Sequence, residues 1–538
     1  MPRRFRVPAR RRLLLAAVSL AAVVTCVLSA CTAGRAGSAA RDNTLVVDTS
    51  FVYKTLDPGL VYEQTGYLAV HALYESLLTF EGGDVTEPKP GLAESYEASR
   101  DATRFTFTLR ENATFSDGTP VTSEDVEFSL NRLVNLKGSA SAYFAGLEIS
   151  APDDRTVVVT SPTPNPNVPV LMAMPAASIV NADVVAEHGG RSDASAASKD
   201  RAQSYLDRET AGSGPYVLER NQPGEQLVLT ANENYWGDKP GYSRVVIRNM
   251  EAQNQKLTLT RSSSPEIALD IAGTLLEGLP PSLKVSQQPD TAYFSFVNTD
   301  PAVSPVGSRP EFVRAVRAAL DYQGLAELFG SRSGPARGLI APAYPGTLPK
   351  EETLRQDLPL ARKLLRDAGI TNPAIEFIYP AITYRGVDLG TIATKVQGDA
   401  AKAGITIDLR PLPLNSFLEQ YRGGKAQMGM TPQALTYPRA DSMVRVMSPG
   451  GVNAERMNWT EDNASPDVLS ATEDFLAATT EEQRNAAVVR WQHAMYRDAP
   501  YVLLGNNSGT VVSTPEVTGA EYTPAGWIVD LAAVRPAA

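Results

Sequence analysis

Cysteine and histidine are nearly missing from this sequence of 538 residues, which holds two of the first and three of the second. Cys26 and Cys31 both sit near the N-terminus, so the body of the chain carries no thiol. Disulfides, thiolate zinc sites and a cysteine nucleophile are excluded there. His71, His188 and His493 are scattered, so no HExxH-type metal site exists, and each reads as a surface or packing residue. A GxSxG elbow and a GxxxxGK(S/T) loop are also missing, which weighs against a serine hydrolase and a P-loop NTPase. A pair of glycosidase carboxylates has no fixed spacing, so a secreted hydrolase stays open as an alternative. Apart from one N-terminal stretch there is no long apolar run, and the chain is 43% hydrophobic and 20% charged. That balance excludes collagen-like, disordered and multi-span membrane classes. With 50 basic against 60 acidic side chains the net charge is -10, which argues against a partner held by phosphate neutralisation, so no nucleic acid is expected.

Acidic residues are lacking altogether before Asp42, whereas Arg3, Arg4, Arg6, Arg10, Arg11 and Arg12 crowd the start. Leu13 to Ala30 is apolar and ends in Leu28-Ser29-Ala30-Cys31. A basic region, an apolar run and small residues before a cysteine form a secretory leader with a lipobox. Residues 1–30 are therefore expected to be removed and Cys31 lipidated, with residues 31–42 as a tether to the membrane. The alternative is a single N-terminal anchor. Without the leader the chain has 44 basic and 60 acidic residues.

The body alternates strand and helix signals. Residues 43–49 read as a strand and 67–78 as a helix. Arg104 to Arg110 alternates strictly, placing Phe105, Phe107 and Leu109 inward. Ser116-Asp117-Gly118-Thr119-Pro120 is a turn, and Thr122 with Asp125 forms a capping box for the helix that follows. Pro162, Pro164, Pro166 and Pro169 point to an irregular crossover. Residues 192–204 read as an exposed loop or loose helix. Strands are expected at 216–218, 227–230, 244–248 and 291–298. Pro310 opens a helix, and Asp357 caps another that Gly369 stops. Strand 375–379, helix 389–403 and strand 405–409 then give a βαβ rhythm, so an α/β domain is expected in the second half.

Nine segments in order carry a resemblance. They are Leu56-Asp57-Pro58, Leu73-Tyr74-Glu75-Ser76-Leu77, Leu92-Ala93-Glu94-Ser95-Tyr96, Phe105 to Arg110 and Phe115 to Val126, followed by Gly212-Ser213-Gly214-Pro215-Tyr216, Asn234-Tyr235-Trp236-Gly237, Ala361 to Gly369 and Trp491 to Pro500. Together they resemble the family 5 extracellular solute-binding proteins of ABC importers, over nearly the whole body of the chain. The resemblance implies an α/β, two-lobed, hinged periplasmic-binding-protein fold of type II with an extra subdomain in the first lobe. Residues 43–78, 172–290 and 502–538 would build the first lobe, 79–171 the extra subdomain and 291–501 the second lobe. Crossovers would fall near residues 288–291 and 500–502. It also implies a monomer outside the cytoplasm that binds a peptide or peptide-like solute, needs no cofactor or metal, performs no chemistry and docks on a permease and ATPase. An oligosaccharide or another metabolite as ligand, and a sensory receptor role, are the alternatives; three scattered histidines disfavour nickel.

The resemblance breaks where peptide-binding relatives carry a segment similar to Gly-Trp-x-x-Asp-Tyr-x-Asp-Pro. Here Gln433 stands at the Trp position, Thr436 at the ammonium-pairing Asp and Arg439-Ala440 at the Asp-Pro, while Tyr437 is retained. A buried ammonium without a carboxylate is costly, so an ordinary free-amino dipeptide is disfavoured and a modified or N-blocked peptide is a further alternative, unless Asp441, in a shifted loop, or Glu63 supplies the charge. Tyr53, Tyr62, Glu63 and Tyr67 follow the first strand and are expected at the cleft. Tyr384 and Arg385 follow a second-lobe strand; Arg385 holds a ligand carboxylate or is a solvated loop charge. Asn453, Asn458 and Trp459 lie in a further cleft loop, Trp459 either stacking on ligand or packing in the core.

Overall fold

A computed structural model describes residues 43–51, 53–330 and 333–538. The expected leader, the lipidated Cys31 and the tether lie outside the described residues. One ten-stranded sheet runs through both lobes. Its order is Thr406–Leu412, Ala374–Pro380, Met428–Ala434, Lys284–Val297, Tyr501–Ser513, Glu266–Ala268, Thr44–Thr49, Arg244–Asn249, Gln226–Ala231 and Tyr216–Gln222.

The two longest strands, Lys284–Val297 and Tyr501–Ser513, join the lobes. They pair antiparallel along their length, with a register shift between Pro289 and Thr291. Before the shift Lys284 to Pro289 pairs with Ser513 to Ser508; after it Thr291 to Phe296 pairs with Asn507 to Tyr501. On the second-lobe side the Lys284–Val297 strand also pairs with Met428–Ala434, and on the first-lobe side Tyr501–Ser513 pairs with Glu266–Ala268. Asp290 thus sits at the step from one lobe to the other. Opposite it stand Asn507 and Ser508, whereas residues 500–502, where the sequence suggested the return crossover, lie at the start of that strand against Ser295 and Phe296.

A separate four-stranded antiparallel sheet, Ala93–Ala98, Arg104–Leu109, Thr156–Thr160 and Glu148–Asp153 in that order, forms the extra subdomain. Phe105, Phe107 and Leu109 are buried, as their alternation requires. Helix Ser123–Leu136 packs on this sheet and starts at the expected box: Asp125 Oδ2 accepts from the Thr122 N–H at 2.9 Å, and Thr122 Oγ1 accepts from the Asp125 N–H at 3.4 Å. The same helix carries Arg132, buried between Asp57 and Asp200. Its guanidinium reaches both Asp57 oxygens at 2.6–2.7 Å, which gives the Leu-Asp-Pro motif a structural task.

Some elements differ from their sequence reading. The helix expected at 67–78 spans Gln64–Leu73. It stops because Gly212 and Gly214 of the Gly-Ser-Gly-Pro-Tyr turn press on its last carbonyl: the Gly214 N–H donates to Leu73 O at 3.2 Å, and a Cβ on Gly212 would stand 2.3 Å from that oxygen. The proline-rich crossover ends in a short helix, Val168–Leu171, with Pro169 in its first turn, where a missing N–H costs nothing. Residues 192–204 hold two single turns, Ala196–Lys199 and Gln203–Leu206. Among the described residues no helix is long and apolar enough to cross a membrane.

Candidate functional site

A cavity of about 390 Å³ lies between the lobes at the hinge. The first lobe contributes Tyr62, Glu63, Tyr67 and the loop from Tyr522 to Ile528; the second contributes Tyr344, Tyr384, Arg385 and the run Gln433 to Thr436. A larger open groove, about 760 Å³, is lined only by second-lobe residues around helix Leu389–Lys402 and joins nothing across the cleft.

Local structure aims each side chain. Glu63 is the residue preceding helix Gln64–Leu73, yet its side chain makes no capping hydrogen bond. Its charged contact is the exposed Lys54 at 3.7 Å, and Oε2 accepts a long bond from the Tyr62 N–H at 3.4 Å, so the carboxylate keeps most of its accepting capacity. Tyr67 lies one turn into that helix, 6% exposed, and its hydroxyl has no hydrogen-bond partner. Burial pushes its phenol well above the usual range, so it enters the cavity as a neutral donor.

Arg385 is at the tip of a two-residue hairpin between Thr383–Tyr384 and Val387–Asp388. Its φ of 46° and the 72° of Gly386 form the left-handed pair that such a tight turn needs. A Cβ on Gly386 would stand 2.1 Å from the Ala272 carbonyl oxygen of the first lobe, so only glycine lets the tip make this contact. Arg385 Nη1 donates to Asp290 Oδ1 at 2.5 Å and to Thr291 Oγ1 at 2.8 Å. Burial alone would lower the guanidinium, but the Asp290 carboxylate and neighbouring tyrosines raise it well above its ordinary value. The other Asp290 oxygen accepts from the Tyr522 hydroxyl, and the Gly509 N–H donates to Oδ1 at 3.2 Å. Asp290 therefore ties both hinge strands, the Arg385 hairpin and the C-terminal loop. Arg385 Nε and Nη2 have no hydrogen-bond partner among the described residues, and the guanidinium lies 5.8 Å from the Tyr384 ring centre.

Opposite lobes also touch directly. The Tyr143 hydroxyl donates to Thr436 Oγ1 at 3.1 Å, and the Tyr62 hydroxyl stands 3.2 Å from Tyr143 Oη and 3.5 Å from Thr436 Oγ1.

Of the residues named from sequence, Tyr62, Glu63, Tyr67, Tyr384, Arg385, Gln433 and Thr436 line this cavity. Tyr53, Tyr437, Asn453 and Trp459 are not in its lining. The Tyr53 hydroxyl donates to Asn221 at 2.7 Å, and burial with Asp207 nearby pushes its phenol up to about 12. Tyr437 is buried behind the wall, donating to Asp441 Oδ2 at 2.8 Å. Asn453 is buried and accepts from Arg456. Trp459 packs edge-on against Tyr501, so its core reading holds. Asn458 is occupied with Asn298 and Gly424. Asp441 is taken by Arg445 and Arg484, leaving no charge for a ligand ammonium. Asp290, Tyr344, Tyr522 and Ile528 line the cavity without having been singled out from sequence. The one signal was the expected step at residues 288–291, which contains Asp290; the C-terminal loop offers no motif.

The cavity thus lies beside the two strands that the lobes share, with a wall from each lobe and a few polar groups among apolar ones. The model for bacterial extracellular solute-binding proteins, family 5, matches residues 87–454, and the chain belongs to that family, the extracytoplasmic solute-binding components of ABC importers. It is 28% identical over 507 residues to the probable D,D-dipeptide-binding periplasmic protein DdpA of Escherichia coli (strain K12), with 91% of this chain and 93% of that one covered. The dipeptide-binding protein of the same organism is 24% identical over 493 residues, covering 85% and 82%. Among solved structures, the ABC transporter substrate-binding protein CtaP from Listeria monocytogenes has the same fold, with a TM-score of 0.78, 18% identity and coverage of 92% and 99%. DppA from Helicobacter pylori in complex with the peptide STSA gives 0.72 and 20%, covering 92% and 98%.

Proposed function

We propose that this chain captures a short free-ended peptide, two or three residues long, and delivers it to a membrane permease without altering it. The observation that carries this reading is the cavity's chemistry at its size. About 390 Å³ is near the lower end of the ~300–1,000 Å³ usual for small-ligand sites. It offers one carboxylate with accepting capacity to spare, Glu63, one guanidinium with N–H groups to spare, Arg385, and one unpartnered buried hydroxyl, Tyr67. A zwitterionic peptide meets all three: its ammonium takes Glu63, its carboxylate takes Arg385, and a peptide carbonyl accepts from Tyr67. Glu63 thereby replaces the carboxylate lost at Thr436. The names of the relatives, which include dipeptide- and D,D-dipeptide-binding proteins, support the same ligand class. Cys31, lipidated after removal of residues 1–30, would anchor a monomer at the membrane's outer face beside its permease and ATPase. The lobes expected from sequence would move against each other, with the return step at Asn507–Ser508 opposite Asp290 rather than at residues 500–502, and with 79–171 carried on the first lobe.

Calorimetric titration tests the ammonium contact. Dialanine, in its L,L and D,D forms, is compared with N-acetyl-dialanine. A charge-assisted hydrogen bond is worth roughly 1.5–3 kcal/mol, so acetylation should weaken the preferred form about 10- to 100-fold. Glu63→Gln should remove most of that difference. Equal affinity for the acetylated peptide on the unaltered chain would contradict the reading.

A further inference from the structure

We propose that Tyr143, carried by the extra subdomain, limits the length of ligand the cleft accepts, acting through Tyr62 and Thr436. The inference rests on the peptide reading above and specifies it.

Three hydroxyls from three parts of the molecule meet at one side of the cavity. Tyr62 comes from the first lobe, Tyr143 from the single turn Ser141–Tyr143 of the subdomain, and Thr436 from the second lobe. Tyr62 lines the cavity and is also 36% exposed, so it stands between the cavity and solvent. Thr436 lines the cavity too, and Tyr143 stands behind both, bonded to each. Tyr143 is itself braced: its ring meets Tyr437 edge-on at 5.4 Å, and Tyr437 is held by Asp441, which is pinned by Arg445 and Arg484. A second tie lies on the same flank. The Arg439 guanidinium donates to Val85 O at 2.8 Å and Thr86 O at 2.6 Å, fastening the second lobe to the hairpin strand Asp84–Pro90.

The wall holds no charge. Burial raises the Tyr143 phenol well above its ordinary value, so it stays a protonated donor. At the position where the resemblance expected an ammonium-binding Asp, Thr436 has its hydroxyl engaged by tyrosines. A ligand that fits the cavity leaves these bonds in place. A longer one must push Tyr62 aside or part Thr436 from Tyr143 and break hydrogen bonds between the subdomain and both lobes. Tyr143 is a positioning residue, since it does not line the cavity.

The test is calorimetric titration of the full chain with dialanine and tetra-alanine, each in the configuration the unaltered chain prefers, and the same titration of Tyr143→Phe. This variant keeps the ring against Tyr437 and loses only the hydroxyl, and a thermal melt of each protein reports on folding. The unaltered chain should bind the dipeptide at least about tenfold more tightly than the tetrapeptide, and Tyr143→Phe should shrink that ratio about tenfold, the effect of a pair of lost hydrogen bonds. Tyr62→Phe should shrink it in the same direction. An unaltered chain that binds both lengths equally overturns the wall and leaves the peptide reading standing. A Tyr143→Phe ratio unchanged at equal melting temperature also overturns it. An unaltered chain that takes neither probe overturns the peptide reading, and the wall with it.

Discussion

A hydroxyl in place of a carboxylate at residue 436 changes what the cleft reads. Thr436 contributes no charge, and the acid near it in sequence, Asp441, is already neutralised by two arginines. Glu63, whose charged contact is the exposed Lys54, and Arg385, which pairs with Asp290, line the cavity from opposite lobes. A different carboxylate, Glu75, has a structural consequence instead. It is half-buried in the first lobe beside Asp530 and Arg110, and its partial desolvation pushes its carboxyl up to about 7, even though the Tyr235 hydroxyl donates to it at 2.7 Å. In the unfolded chain it titrates near the ordinary glutamate value, about 4.3. The folded state therefore binds the proton more tightly, and stability from this group is greatest at low pH. It declines as pH rises between about 4.5 and about 7, with a limiting slope of about 1.4 kcal/mol per pH unit, and is level above that. Urea unfolding at a series of pH values should show this decline, and Glu75→Gln should flatten it. An unchanged profile in the variant would assign the decline to other groups.

At the scale of elements, the hinge is two strands and one carboxylate. Asp290 and Arg385 are 3% and 10% exposed, and breaking a buried pair leaves the other charge stranded. Asp290→Asn should cost about 3–5 kcal/mol of unfolding free energy. Asp367→Asn, which removes an exposed pair with Lys363, should cost less than about 1 kcal/mol. Chemical denaturation of the two variants gives the comparison, and similar small losses would show that Asp290 is no joint. These same strands mark where sequence reading stops. The alternation of Phe105, Phe107 and Leu109, the Thr122–Asp125 box and the caps at Pro310 and Asp357 were legible because each is a local signal. The strand Tyr501–Ser513 was not, since Gly505, Asn506, Asn507, Ser508 and Gly509 are poor strand formers. It exists because sheet neighbours hold it and because its glycines admit rings: a Cβ on Gly505 would stand 2.2 Å from Phe329, and one on Gly509 2.0 Å from Tyr522. The first half of Lys284–Val297, with Gln287, Gln288 and Pro289, was hidden for the same reason. At the site, sequence reached Glu63, Tyr67 and Arg385 through family order, whereas Asp290, Tyr344 and Tyr522 come together only through long-range packing.

For the molecule as a whole, the peptide capture proposed above would couple binding to closure of the lobes. The cavity is built from both lobes, so a ligand touching Glu63 and Arg385 together gains its full contacts only when the lobes meet, and it favours that state by the difference. The extra subdomain takes part, because Tyr143 and the carbonyls of Val85 and Thr86 bond the second lobe. On the function proposed above, the enclosed solute is a short peptide carried unaltered. Native mass spectrometry of the full chain, purified without unfolding, measures this most directly, with the released ligand sequenced by fragmentation. Bound masses should be those of free-ended peptides two or three residues long, recovered intact and lost from Arg385→Ala. A single non-peptide mass, or cleaved fragments of a larger ligand, would contradict it.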